Sequence, residues 1–160
     1  MNLKDLLELG SFLVTVIGLP FAIAVFFIEQ RKERDNEDEE AYQLLSDAYN
    51  EFLQVVLQNP DLKLRTERRN DELNDEQLER RRIIFEMLIS LFERAYIVAW
   101  EPEMSANQRR RWASWEDYMR EWCRREDFVA LLPQLLRGED PDFAEYIKGI
   151  AREELPGWLV

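Results

Sequence analysis

Apolar positions along this chain fall into two regimes. From Leu9 to Ile28 the sequence reads LGSFLVTVIGLPFAIAVFFI, twenty residues without a charge. At 1.5 Å rise per residue that is about 30 Å of helix, the thickness of a bilayer's hydrocarbon core. Residues 1–30 therefore read as a transmembrane anchor, in which Pro20 is tolerated as prolines in membrane helices are. A cleaved signal peptide is the alternative; Asp5 and Glu8 ahead of the run, and the apolar residues that follow Ala22 and Ala24, argue against it. Residues 31–40, RKERDNEDEE, carry no apolar side chain and read as a charged linker or a helical extension of the span.

After residue 40 the apolar positions recur with helical period. Leu44, Leu45, Ala48, Phe52, Val55 and Val56 define one face of a helix that ends near Asn59 and Pro60. Asn74 with Gln77 three positions later predicts a capping box, opening a long helix that carries Leu78, Ile84, Phe85, Leu88, Leu91, Phe92, Ala95 and Tyr96 to about Trp100. Its richness in apolar residues predicts the central helix of a bundle. Ser105 and Gln108 predict a second capping box. A short segment, DFVALLPQLLRG, stops at Gly138, and Asp140–Pro141 reads as cap and first-turn proline of a last helix over 141–154. No hairpin turn signal occurs. The expected fold is all-α: a single N-terminal transmembrane helix followed by a cytoplasmic bundle, over 41–160, of about four helices plus a short one.

Charge sets the expected orientation. Arg31, Lys32 and Arg34 follow the span, against Lys4 alone before it, so the positive-inside rule places the N-terminus outside and the bundle in the cytoplasm. Ser11, Thr15, Gly18 and Ala22 recur at spacings of four, three and four. That puts small residues on one stripe, where membrane helices approach closely, and points to self-association, or to lining a pore if several copies assemble; a homo-oligomer or a membrane-protein partner is expected.

Composition narrows the chemistry further. The net charge is −12, from 21 basic and 33 acidic side chains, which opposes bulk binding to nucleic acid. There is no histidine, so the commonest general base and metal ligand are both missing. Cys123 stands alone, without partners for a disulfide, a cysteine metal site or a papain-like nucleophile. Glu79, Glu86 and Glu93 lie seven apart, but inward carboxylate pairs that hold two metals normally include Glu-x-x-His, and an exposed stripe pairing with Arg82 and its neighbours is expected instead. No glycine-rich phosphate loop occurs. No catalytic residue, cofactor or metal site is expected, and the chain reads as non-enzymatic.

One stretch, QRRRWASWEDYMREWCRREDF from Gln108, mixes arginine with tryptophan in the manner of nucleic-acid surfaces. At 100° per residue, however, Trp112, Trp115, Tyr118, Met119 and Trp122 share one arc of about 120°, and Arg109, Arg110, Arg120 and Arg124 lie outside it among acids. Glu116–Arg120 and Glu121–Arg125 have the favourable acid-first spacing of four. The tryptophans are therefore expected in a core and the arginines on a solvated face. One anionic-ligand site stays open: Arg80, Arg81 and Arg82 with Arg109, Arg110 and Arg111, if both clusters face one cleft and hold a phosphorylated or nucleotide ligand.

The segments YNEFLQVVLQNPDL, LFERAYIVAW, RRWASWEDYMREWCRREDF and DPDFAEYI give the chain a resemblance to uncharacterised bacterial single-span membrane-anchored proteins with a small helical cytoplasmic domain. That resemblance implies the bacterial inner membrane and carries no site residues. The layout is also similar to bacterial anti-phage membrane effectors, in architecture only. Two functions follow. One is a membrane-anchored, non-enzymatic interaction or adaptor protein that self-associates or docks a partner. The other is a ligand-gated membrane effector that senses a phosphorylated signal through the two arginine clusters.

Overall fold

A computed structural model describes residues 19–66 and 72–157, and every regular element among them is helical. The elements are α1 (Leu19–Gln58), a 3₁₀ turn (Pro60–Leu62), α2 (Asp75–Ala99), α3 (Ala106–Cys123), α4 (Glu126–Leu135) and α5 (Pro141–Glu154). The chain divides into two compact units, Met1–Glu40 and Ala41–Val160.

The expected transmembrane helix is corrected. Among the described residues no helix is long and apolar enough to cross a membrane. Residues 9–18 of the proposed span lie outside the described residues. Its remaining ten, 19–28, make about 15 Å of helix, half the hydrocarbon thickness. They continue without a break into 31–40, which is helical. Helix α1 thus runs from an apolar into a charged segment.

In the second unit the local signals act as chemistry dictates. At the end of α1 the Asn59 side chain donates to Val55 O at 2.7 Å, and Pro60 cannot supply the next helical N–H. Both capping boxes form: Asn74 with Gln77 opens α2 and Ser105 with Gln108 opens α3. Asp140 accepts from the N–H groups of Asp142 and Phe143, with Pro141 in the first turn of α5. Gly138 takes φ +94°, which a side chain would resist, and turns the chain between α4 and α5.

The core is aromatic. Trp112, Trp115, Met119 and Trp122 are buried, as their shared arc on α3 predicts. Trp122 lies edge-on to Phe52 of α1 and Phe85 of α2, at 5.6 and 6.2 Å between ring centres. Trp112 does the same to Tyr96 at 6.1 Å and Tyr146 at 5.8 Å. Each large ring removes enough apolar surface from water to contribute about 1.5–3 kcal/mol. Buried indole N–H groups need acceptors, and two tyrosines supply them: Trp112 donates to Tyr146 Oη at 3.0 Å and Trp122 to Tyr49 Oη at 3.3 Å.

Two ionic networks clamp this core. Arg120 reaches Glu116 on its own helix at 2.7 Å and Glu153 and Glu154 of α5 at 2.7 and 3.2 Å, which raises its already high pKa further; Glu154 is also held by Arg124 at 2.9 Å. The expected Glu121–Arg125 pair does not form. Arg125 turns inward instead, 4 % exposed, and its guanidinium grips Asp127 at 3.1 and 2.8 Å. The same side chain donates to the carbonyls of Lys63, Leu64 and Thr66, closing the loop after α1 onto the α3–α4 corner.

Candidate functional site

The arginine clusters singled out from the sequence are not brought together. Arg80–Arg82 sit on the first turns of α2, beside the end of α1. Arg109–Arg111 open α3, where Arg111 lies over the Tyr42 ring at 5.9 Å and Trp112 meets Tyr96. Tyr96 is fourteen residues beyond Arg82 on α2, about 21 Å along its axis. The clusters therefore occupy opposite ends of the bundle.

The first cluster is also committed to pairs within the chain. Arg80 binds Asp61 at 2.7 Å and donates to Asn59 Oδ1 at 2.9 Å. Arg81 reaches the buried Asp127 at 2.9 Å, so one carboxylate serves two guanidiniums. Arg82 pairs with Glu86 at 3.0 Å, as the helical spacing predicts. A cleft of about 100 Å³ beside Arg65, Glu121, Trp122 and Arg124 is similarly self-contained: Arg65 forms an ion pair with Glu121 and stacks over Trp122 at 5.6 Å. Of the small-residue stripe, Ser11, Thr15 and Gly18 lie outside the described residues, and Ala22 is exposed on α1.

Perturbed titratable groups mark catalytic sites when they converge on a cleft. Here they do not. Glu139 is pushed up to about 7, first by the hydrogen bond it shares with Glu93, then by burial and by that neighbour's charge. Glu93 also accepts from the N–H of Asp140, so this carboxyl pair joins α2 to the start of α5 rather than lining a pocket. Burial pushes the Cys123 thiol up to about 12, which leaves it unreactive. Among the described residues no group of three or more acids, histidines or cysteines is disposed to hold a metal.

The surface feature that remains is apolar. A groove of about 380 Å³ runs between α1 and α2, lined by Ala48, Glu51, Phe52 and Val55 on one wall and by Met87, Ser90, Leu91 and Arg94 on the other. Beyond its lip, Leu44 of α1 and Ile83, Ile97 and Val98 of α2 are exposed. At 100° per residue Ile83, Met87, Ser90, Arg94, Ile97 and Val98 occupy an arc of about 100°, on the side of α2 opposite the buried Phe85, Leu88, Phe92 and Ala95. Thus α2 has two apolar stripes, and only one is covered.

Sequence reasoning missed this face, although its signal is present. The apolar content of α2 exceeds what one core face needs, and the surplus falls at 83, 87, 97 and 98 with helical period. Leu44 and Leu78, expected among core positions, are exposed. Comparison with models of known protein families, with characterised proteins and with solved structures finds no match to the chain.

Proposed function

We propose that this is a non-enzymatic interaction protein that works by helix-mediated docking, and that the groove and uncovered stripe of α1 and α2 form its docking face. The supporting observation is the exposure of Ile83, Met87, Ile97 and Val98 (50, 44, 61 and 52 %) in a single helical row. Scattered exposed apolar residues are ordinary, but two apolar pairs on one helical face beside a groove, Ile83 with Met87 and Ile97 with Val98 either side of Ser90 and Arg94, are the mark of a protein-binding surface. Its two parallel ridges suit another helix or helix pair. The alternative, a ligand-gated effector, needs the two arginine clusters to share one cleft, and their separation gives it no support.

The test is a photo-crosslinking amino acid placed at Met87 in the full chain, expressed in cells, with the same group at the exposed Glu145 of α5 as control. One defined adduct from position 87 and none from 145 is the expected result. Equal labelling at both positions, or no adduct at 87, overturns the proposal.

The lipid bilayer enters as a second partner through Phe21, Ile23, Phe26, Phe27 and Ile28, all exposed on α1, with Arg31 and Lys32 following after Glu29 and Gln30. Apolar rings beside cations suit the boundary of an anionic inner leaflet. Full-length protein that fails to float with anionic vesicles removes this partner.

A further inference from the structure

We infer that the occupant of the α1–α2 face is a second copy of this chain, related to the first by a two-fold axis running along the groove. The inference rests on the docking function proposed above and names its partner.

The walls of the groove carry opposite charges. Glu51 projects from α1 and Arg94 from α2, both are exposed, and neither has an ion-pair partner among the described residues. Arg80, Arg81 and Arg82, earlier on the same helix as Arg94, are by contrast engaged within the chain. An uncommitted cation and an uncommitted anion on facing walls of one apolar groove make the surface complementary to itself.

The direction of the helices then selects the symmetry. The Asn59 end of α1 adjoins Arg80 of α2, while the Tyr42 end adjoins the α3 start that packs on Tyr96. So α1 and α2 run antiparallel, and with Asn59 level with Arg80, Glu51 lies level with about Leu88, which sets Glu51 and Arg94 about 9 Å apart along the groove, within reach of two long side chains. A two-fold axis along the groove lays α1 of one copy over α2 of the other. Each Glu51 then faces an Arg94 across the interface, twice, and all neighbouring helices are antiparallel as in a four-helix bundle. The competing two-fold axis, across the groove, lays α1 on α1 and α2 on α2. That lays Glu51 over an α1 that carries no basic residue between Ala41 and Gln58, and at the level of Glu51 and Arg94 it sets like charge on like. Apolar burial makes either arrangement cohesive; the like-charge contacts reject the second.

The experiment uses two full-length variants, Glu51→Cys and Arg94→Cys, each purified and then mixed. The native thiol, Cys123, is buried and stays out of the reaction in folded protein. A mixed pair keeps one of its two Glu51–Arg94 contacts, so association survives the substitutions. A short bismaleimide is expected to link the mixture at least ten-fold more efficiently than either variant alone. Separately, Glu51→Arg weakens dimerisation at least ten-fold in sedimentation equilibrium, and the double reversal Glu51→Arg with Arg94→Glu restores it. Glu51→Cys alone linking as well as the mixture overturns the axis, and with it the proposal, while docking between copies stands. No link in any sample, with an adduct at position 87 of a mass other than two chains, overturns the second copy but leaves the docking function. No link and no adduct removes both.

Discussion

Replacing Asp127 with alanine tests whether the inward turn of Arg125 holds the fold together. The carboxylate accepts from Arg125 Nε at 3.1 Å, Arg125 Nη2 at 2.8 Å and Arg81 Nη1 at 2.9 Å. The Asp127 and Arg125 side chains are buried, and Arg81 nearly so. Alanine leaves two guanidiniums in low-dielectric surroundings without their anion. Breaking a buried pair from one side costs about 3–5 kcal/mol, and the upper half of that range applies where two cations are orphaned. Asp127 also lies in the first turn of α4, where a negative charge contributes about 0.3–1 kcal/mol against the helix dipole. The expected loss is therefore about 4–6 kcal/mol, to be read from urea unfolding followed by fluorescence of the buried tryptophans, with the slope in denaturant unchanged. Asp127→Asn keeps one acceptor oxygen but turns an amide N–H₂ donor towards guanidinium N–H groups, so a loss close to that of alanine is expected. The control is Glu86→Ala, which breaks the Arg82 pair, 55 and 49 % exposed, and should cost less than about 0.5 kcal/mol. If Asp127→Ala costs no more than Glu86→Ala, Arg125 is not the clamp described here.

Three further outcomes are expected. Glu139 titrates in the folded chain near 7 against an ordinary 4.5, so it stabilises the fold fully below pH 4.5 and loses that contribution as pH rises through 7. Glu139→Gln should accordingly match the parent at pH 4 and exceed it by about 1 kcal/mol at pH 8, the partial exposure of the carboxyl reducing the full linkage value; unchanged stability at both pH values would falsify the shared proton. Cys123, buried with its thiol pushed up to about 12, should resist iodoacetamide at pH 8 until urea unfolds the chain, and rapid labelling of native protein would contradict its placement. Ser105→Ala removes the side-chain half of the α3 capping box and should lower stability by about 1 kcal/mol, whereas Ser105→Asp should retain most of it.

What the sequence made legible was chiefly local. Asn74, Ser105 and Asp140 act on N–H groups two or three residues away, so their roles follow from spacing alone. The burial of Trp112, Trp115 and Trp122 also follows from one helix's periodicity. Arg125 shows where such reasoning stops. Its acceptors are carbonyls 59 to 62 residues earlier in the chain, and only the packed corner makes them nearer than Glu121. The uncovered stripe of α2 was hidden for a related reason: periodicity reports that a face is apolar and is silent on how many neighbours are available to cover it. Leu9–Ile28 failed differently. A run of uncharged residues reports hydropathy, whereas a span needs an apolar helix of full length, and among the described residues none is long and apolar enough to cross a membrane.

The position of α5 after α1 to α4 in chain order bears on how the protein is made. Tyr96 and Trp112 gain Phe143 and Tyr146 as neighbours only once this last helix docks, and Arg120 meets Glu153 and Glu154 only then. During synthesis α1 to α4 emerge first, with that side of the aromatic cluster still wetted. Folding of the second unit is thus tied to emergence of α5, and a ribosome stalled before residue 141 displays a sticky intermediate.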